Sequence, residues 1–441
     1  MSKFVKISNK ITKFNKKLSI DGDKSLSIRW ALLSSQSLKK STASNLLLSE
    51  DVMSTLKCLK KLGIKIKISR NFCEIIGLGL NGFKYKNNLI LNAGNSGTLG
   101  RLLLGLLVHS KKKLLLKGDR SLSKRDFLRV IKPLEKFGAI FDSNYGKLPI
   151  KIHGTNNTKP IKYFENKGSA QCKSAVMFAA LNTLGETTIK AKKSRDHSEL
   201  LFKSLKLPIK VIKRKNHDII KVKGKSKIPA LNYKIPSDIS SAAFFIVLAA
   251  LTKNSRLEIK NVNINPSRMG VFYILKLMGV RIVKLNVRNY KGEKIADLII
   301  KGTNNIKPIN CPIKFNSSAI DEFLLIFLVA AKAKGVSYFK NLSELDQKES
   351  PRLKWGSKIL NKIGIKNILT ENSIKIFRNP DLKVNKKIII KGFLKDHRVF
   401  MTSVIAALSF GGKWQIFDKE SINTSFPSFL KKVDYLGAKI D

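Results

Sequence analysis

LKKLGIKI, Leu59–Ile66, ends one kind of structure and begins another. Leucines three residues apart mark the apolar stripe of a helix. Gly63 takes the left-handed position after its last turn, and Ile64 and Ile66 alternate with lysine as in a strand. The phrase returns as LEKFGAIF (Leu134–Phe141), LKLMGVRI (Leu275–Ile282), LNKIGIKN (Leu360–Asn367) and VDYLGAKI (Val433–Ile440). A degenerate copy, SLKLPIKV (Ser204–Val211), puts Pro208 where the others put glycine. The punctuating positions Gly63, Gly138, Pro208, Gly279, Gly364 and Gly437 stand 70 to 85 residues apart. That period is too long for a solenoid turn, and six copies predict two domains of three units each.

Outward from each phrase the pattern reads strand, helix, strand, helix, strand, strand. Helices are predicted at about Ser25–Ser37, Val52–Leu62, Thr98–His109, Lys124–Phe137 and Lys173–Leu184. Further on they fall at Ser240–Leu251, Pro266–Met278, Asp321–Lys334, Pro351–Ile363, His397–Leu408 and Pro427–Leu436. Runs such as Ile64–Ile68, Leu114–Lys117, Thr187–Ala191, Ile295–Lys301 and Lys386–Lys391 read as strands. Pro and a Ser/Asp cluster at Ile235–Ser241 mark a junction, and DGD at Asp21–Asp23 marks an earlier break. The expected domains are 22–238 and 1–21 plus 239–441, hinged near 235–241 and 20–23. The first twenty residues thus return to the second domain.

The 441 residues carry 85 basic and 30 acidic side chains, a net charge of +55. Lysine is scattered through every repeat with no basic block or tail, and the aromatics sit in apolar runs. A nucleic-acid binder concentrates its cations and interleaves aromatics with them, so that class is disfavoured. A diffuse positive field still draws in small anionic substrates. Cys58, Cys73, Cys172 and Cys311 have no metal-ligand or disulfide spacing, and the five histidines are dispersed. A reducing, cytoplasmic setting is expected. The N-terminus lacks a continuous apolar run, and the longest apolar runs elsewhere are too short to span a bilayer.

The chemistry-bearing segments cluster at predicted helix starts. GDKSLSIR (Gly22–Arg29) and GDRSLSKR (Gly118–Arg125) each join Gly-Asp, a cation, a capping Ser and an Arg. Free helix N–H groups beside a cation make an anion site. NAGNSGTLGR (Asn92–Arg101) brackets polar residues with glycines that let a ligand approach backbone. It is neither GxGxxG nor a Walker sequence. GSAQCKS (Gly168–Ser174) and SRDHSE (Ser194–Glu199) are weaker signals of the same kind. In the second half AIDE (Ala319–Glu322), QKESPRL (Gln347–Leu353) and KDHRVFM (Lys395–Met401) set carboxylates and cations together. Such a set suits a multiply anionic substrate and acid/base chemistry in a shared cleft.

In this order, with PSDISSAAFF, NPSRMG and TSFPSF, the segments resemble the enolpyruvyl transferase family from Gly22 to Phe429. The match is best to the branch that uses shikimate 3-phosphate. The resemblance implies a mixed α/β fold with three βαβαββ units per domain, an inside-out α/β barrel, and an active site in the interdomain cleft. It implies transfer of enolpyruvate from phosphoenolpyruvate to the 5-hydroxyl of shikimate 3-phosphate through a tetrahedral intermediate, without metal or organic cofactor. Carried over by motif, Lys24, Ser25, Arg29, Thr98, Ser169, Ala170, Gln171, Ser194, Arg195, Asp321 and Lys348 would bind shikimate 3-phosphate. Lys24, Gly97, Arg125, Gln171, Arg352 and Arg398 would bind phosphoenolpyruvate. Asp321 would take the hydroxyl proton, Glu349 would serve the carbon proton transfer, and Lys24 would assist. A monomer acting on small molecules, with no nucleic-acid or membrane partner, is expected.

Departures from the family pattern are Thr424 where many members have Lys, Pro351 for Asp, Asp126 for Pro and Ser237 for Gly. The sister activity on UDP-N-acetylglucosamine usually carries a reactive Cys in a loop that here, Lys117–Arg125, has none. That activity and a basic nucleic-acid binder on a related repeat fold are the alternatives.

Overall fold

The computed structural model describes residues 4–379, 382 and 384–441; the first three residues of the expected N-terminal contribution to the second domain lie outside that set. The chain divides into two compact units. One, the N unit, holds Gly22–Ile235 with Asn289–Glu293; the other, the C unit, holds the residues up to Asp21 with Pro236–Arg288 and Lys294–Asp441.

The helices of the N unit are α1 (Lys24–Ser34), α2 (Glu50–Lys61), α3 (Gly97–Leu107), α4 (Leu128–Glu135), α5 (Ala170–Asn182) and α6 (His197–Ser204). Its three sheets share one plan. Leu89–Asn92 runs parallel to Leu114–Lys117, which pairs antiparallel with Lys147–His153, and that strand pairs antiparallel with Ile140–Asn144 at the edge. A parallel pair needs a crossover, and α3 supplies it. The same order recurs with Lys162–Glu165 and Glu186–Lys192 about α5. Tyr233–Lys234 closes the third sheet, parallel to Lys40–Ser44. Helices α1, α3 and α5 are apolar or small on nearly every side and buried along most of their length, as core helices must be. At Gly105 a Cβ would lie 2.1 Å from the Ala175 carbonyl, so α3 and α5 meet backbone to backbone.

In the C unit the helices are α7 (Ile239–Leu251), α8 (Gly270–Leu277), α9 (Asn316–Ala319), α10 (Phe323–Ala331), α11 (Arg352–Ile363), α12 (His397–Phe410) and α13 (Phe429–Tyr435). Asn15–Leu18 pairs parallel with Arg256–Asn263, and Phe4–Ile7 pairs antiparallel with Lys413–Phe417. Lys332, just past α10, donates its ammonium protons to the carbonyls of Leu251 (3.2 Å) and Ser409 (3.1 Å) at the ends of α7 and α12. Among the described residues no helix is long and apolar enough to cross a membrane.

Five of the six punctuating positions behave as read: Gly63, Gly138, Gly279, Gly364 and Gly437 have φ between 85° and 105°. The sixth is Lys206, not Pro208. The Lys206 N–H donates to Lys203 O and the Leu207 N–H to Phe202 O, repeating the Gly63–Lys60 and Ile64–Leu59 bonds that close α2. A proline ring fixes φ near −65° and cannot enter the left-handed region. Lys206 takes it instead, at φ 55°, and Pro208 leads into the strand Ile209–Lys213.

Two other expectations change. α6 forms where only a polar cluster was read, at His197–Ser204. The helix expected over Lys124–Phe137 starts at Leu128, because Arg125 is extended after a single 3-10 turn at Leu122–Lys124. Asp126 then accepts from the Leu128 N–H at 2.7 Å and restarts the chain as α4.

Candidate active site

Within the N unit the starts of α1, α3 and α5 are capped by Asp23, Ser96 and Ser169, which accept from the N–H groups of Leu26, Leu99 and Cys172. No acidic residue stands in the first turn of any of the three. The Asp23 carboxylate already answers the positive end of α1, whereas the serine-capped starts of α3 and α5 keep a positive end that favours an anion. Lys24, the first residue of α1, lies 3.0 Å from Asp51 in the first turn of α2.

The two look-alike segments diverge. Asp119 caps the Leu122 N–H (2.7 Å) as Asp23 caps Leu26, but only a 3-10 turn follows. Arg29, inside α1, turns inward and donates to Ser198 Oγ (2.9 Å), Ser174 Oγ (3.2 Å) and the Ser25 carbonyl (3.1 Å). Burial pulls its pKa down to about 10, opposed by Glu199, Asp23 and Glu293, while Arg195 adds to the fall. Arg125, on extended chain, reaches Asn95 Oδ1 at 3.3 Å.

Around Gly97, the first residue of α3, two guanidiniums converge. A Cβ there would lie 2.9 Å from Arg101 Nη1 and 3.2 Å from Arg125 Nη1. Arg101 Nη1 donates to Gln171 Oε1 at 2.6 Å, and Gln171 Nε2 donates to Thr98 Oγ1 at 3.0 Å. Burial lowers the Arg101 pKa, and neighbouring Arg125 and Arg129 lower it further. Ala170 follows the Ser169 cap, whose own N–H donates to Glu165 Oε2 (2.8 Å). Ser194 Oγ is buried and has no hydrogen-bond partner within the protein, which a ligand would relieve.

In the C unit Arg352 is the hub. It is 2% exposed. Its Nε donates to Asp396 Oδ2 (2.9 Å), its Nη1 to Asp321 Oδ1 (3.2 Å) and its Nη2 to Glu349 Oε2. Burial disfavours the charge, but Asp396, Glu349 and Asp321 outweigh it and hold the pKa above the ordinary arginine value. Lys348 Nζ stands 3.9 Å from the same Asp321 oxygen. Arg398 Nη1 donates to the Asp321 carbonyl (3.0 Å) and lies 3.6 Å from Glu322 Oε1. Arg352 and Arg398 occupy the first turns of α11 and α12, the helix ends that repel cations, where anions must compensate.

The departures fit without gaps. Thr424 Oγ1 donates to the Ser421 carbonyl and lies 3.4 Å from His397 Nδ1. Pro351 stands just before α11. Ser237 Oγ donates to the carbonyls of Ile20 and Lys260. Asp51 lies outside the chemistry-bearing segments read from the sequence, while Asn95, Arg101, Ser174, Ser198 and Asp396 lie within them but received no role of their own. Arg101 had a usable signal: four residues after Gly97 it must share that face of α3.

Capped helix starts with nearby guanidiniums in one unit and carboxylates held by arginine in the other, on a repeated mixed α/β scaffold, are the equipment of a phosphate-handling group transferase. A model of the EPSP synthase (3-phosphoshikimate 1-carboxyvinyltransferase) family matches residues 8–433. The chain is 40% identical to the 3-phosphoshikimate 1-carboxyvinyltransferase of Ruthia magnifica subsp. Calyptogena magnifica, over 100% of this chain and 99% of that one. A solved EPSP synthase from Acinetobacter baumannii superposes with a TM-score of 0.88 at 34% identity, covering 100% of both chains. The enolpyruvyl transferase NikO from Streptomyces tendae shares the fold at a TM-score of 0.74 and 13% identity. The chain belongs to the EPSP synthase family of transferases, whose activity serves aromatic amino acid biosynthesis.

Proposed function

We propose that this chain transfers the enolpyruvyl group of phosphoenolpyruvate to the 5-hydroxyl of shikimate 3-phosphate, in the cytoplasm and as a monomer. The observation that carries the assignment of roles is the pair of carboxylates, Asp321 and Glu349, held by the single guanidinium of Arg352. In the addition step the 5-hydroxyl oxygen bonds to C2 of phosphoenolpyruvate, the C2–C3 π bond opens, and C3 gains a proton. Asp321 takes the hydroxyl proton and Glu349 serves the proton at C3. In the elimination step C3 gives its proton back, the π bond re-forms, and phosphate leaves C2.

Binding roles follow the chemistry of each group. Ser25, Arg29, Ser169, Ala170, Gln171, Ser194 and Arg195, with Thr98 in the neighbouring loop, hold the phosphate, ring and carboxylate of shikimate 3-phosphate. Lys348 touches the same substrate. Lys24, the Gly97 backbone, Gln171 and Arg125 receive phosphoenolpyruvate, and Arg352 and Arg398 clamp its charged ends. Bidentate guanidinium donors suit carboxylate and phosphate oxygens. Arg352 reaches the substrate by exchanging part of its bonding to Glu349 and Asp321, which also frees those carboxylates for proton transfer.

The test is phosphate release from phosphoenolpyruvate, with and without shikimate 3-phosphate. Release that needs shikimate 3-phosphate, and falls by at least about 100-fold in Glu349→Gln, is expected. Release without the acceptor, or a Glu349→Gln variant of full activity, overturns the assignment.

A further inference from the structure

The N unit holds a cavity of about 330 Å³ at the opposite ends of the helices whose starts carry Lys24, Gly97 and Ser169. Gln36, Ser110 and Asn182 line it, just past or at the ends of α1, α3 and α5. One helix length, about 16 Å for α3 at 1.5 Å per residue, separates the two ends.

The floor of the cavity is built from acceptors. Asn182 is 1% exposed and Ser110 7%, and Asn182 Oδ1 and Ser110 Oγ are buried with no hydrogen-bond partner in the protein. The C-terminal ends of α1, α3 and α5 add a negative field. His109 lines the same space, and its Nε2 stands 3.1 Å from the Ala179 carbonyl. Phe83, Tyr85 and Leu106 supply apolar surface, and Lys84, Lys111 and Lys112 are exposed cations around it. The Tyr85 hydroxyl is tied to the Lys112 backbone, which fixes that wall.

Orphaned buried acceptors ask for a donor, a compact apolar wall asks for a ring, and a lysine rim asks for an anion. We propose that this cavity is a second ligand site, distinct from the candidate active site, that takes a small ring-bearing carboxylate with a hydroxyl or amine opposite the carboxylate. The donor sits against Asn182 and Ser110, the ring against Phe83 and Leu106, and the carboxylate among Lys84, Lys111 and Lys112. The volume is at the lower end of the range for small-molecule pockets, which limits the ligand to one ring.

The probe is 4-hydroxybenzoate, titrated into the full chain by calorimetry and by ligand-observed NMR. Saturable binding is expected with Kd at or below about 1 mM. Leu106→Trp, which fills the cavity, and Asn182→Leu, which removes the orphaned acceptor, should each weaken binding by at least about tenfold. Both sites are buried, so the exposed pair Lys84→Glu and Lys111→Glu gives a second measure without a threat to folding. These should weaken binding several-fold and reduce its dependence on salt. Saturating shikimate 3-phosphate should leave binding intact. No saturable binding by the wild type means the cavity holds only water, and the proposal fails. Displacement by shikimate 3-phosphate, or binding unaltered in folded Leu106→Trp, puts the probe elsewhere and also overturns it. None of these readouts depends on turnover, so they are independent of the proposed reaction.

Discussion

Arg352 and Gly97 concentrate the consequences at the scale of single residues. Arg352→Met removes the guanidinium partner of Asp396, which is itself 0% exposed, and leaves a buried carboxylate with donors from Ser350 and the Arg398 N–H but without its paired cation. Breaking one side of such a pair typically costs about 3–5 kcal/mol. Denaturant unfolding should show that loss, whereas Glu349→Gln should cost far less, because Arg352 keeps Asp396 and Asp321. Equal destabilisation by both would refute the hub role of Arg352. At Gly97 the φ is ordinary, so Gly97→Ala meets no backbone strain and gains up to about 1 kcal/mol of helix propensity. The new methyl crowds the Arg101 and Arg125 guanidiniums. A KM for phosphoenolpyruvate raised several-fold, with thermal stability held or improved, is the expected outcome of steady-state kinetics and a melting curve. An unchanged KM would show that neither guanidinium needs its present place.

Elements act through their ends. His109, at the close of α3, has its pKa pushed down to about 4 by burial and by Lys225, against the pull of the Ala179 carbonyl. The unfolded chain, with its histidine near 6.5, binds the proton first as pH falls. Stability from this group is therefore full above pH 6.5 and is lost on acidification toward pH 4. Between pH 7 and 4.5 that amounts to about 2–3 kcal/mol. In His109→Gln this part of the acid loss should vanish; an identical pH profile in the two proteins would contradict it. Lys332 serves the other unit: burial lowers its pKa to about 8, yet its bonds to two helix-end carbonyls keep a cation where the dipoles favour one. The local elements were largely legible, because capping and the left-handed glycine are written in adjacent residues. Lys206 was misread because its neighbour Pro208 looked like the irregularity, whereas only hydrogen bonding identifies the residue that closes the helix. Partners far apart in sequence were not legible: Ser198 stands 169 residues from Arg29, and Asp396 stands 44 from Arg352. Nothing in a local pattern encodes which distant hydroxyl or carboxylate a buried guanidinium meets. The family motifs supplied the candidate substrate-binding residues but gave no role to Arg101, Asp51 or the serines that orient Arg29.

At the scale of the whole molecule the charge of +55 sets how substrates arrive. Both proposed substrates are anions, and a diffuse positive field speeds their encounter at low ionic strength. Raising salt from about 20 to 300 mM shortens the Debye length from roughly 20 to 6 Å. kcat/KM should fall several-fold over that range while kcat moves little, as measured by initial rates in potassium chloride; a flat kcat/KM would mean that the lysines contribute nothing to capture. Phe4 faces Phe417, Ile7 faces Trp414, and Asn15–Leu18 faces Arg256–Ile259. On the ribosome the first strand therefore emerges more than four hundred residues before its partner. At 5–20 residues per second it waits on the order of 20–80 s. The Gly22–Ile235 stretch is continuous and carries most of the N unit, so it can fold during that wait. The segment FVKI, an unpaired strand edge throughout, is then the part of the nascent chain most in need of a chaperone.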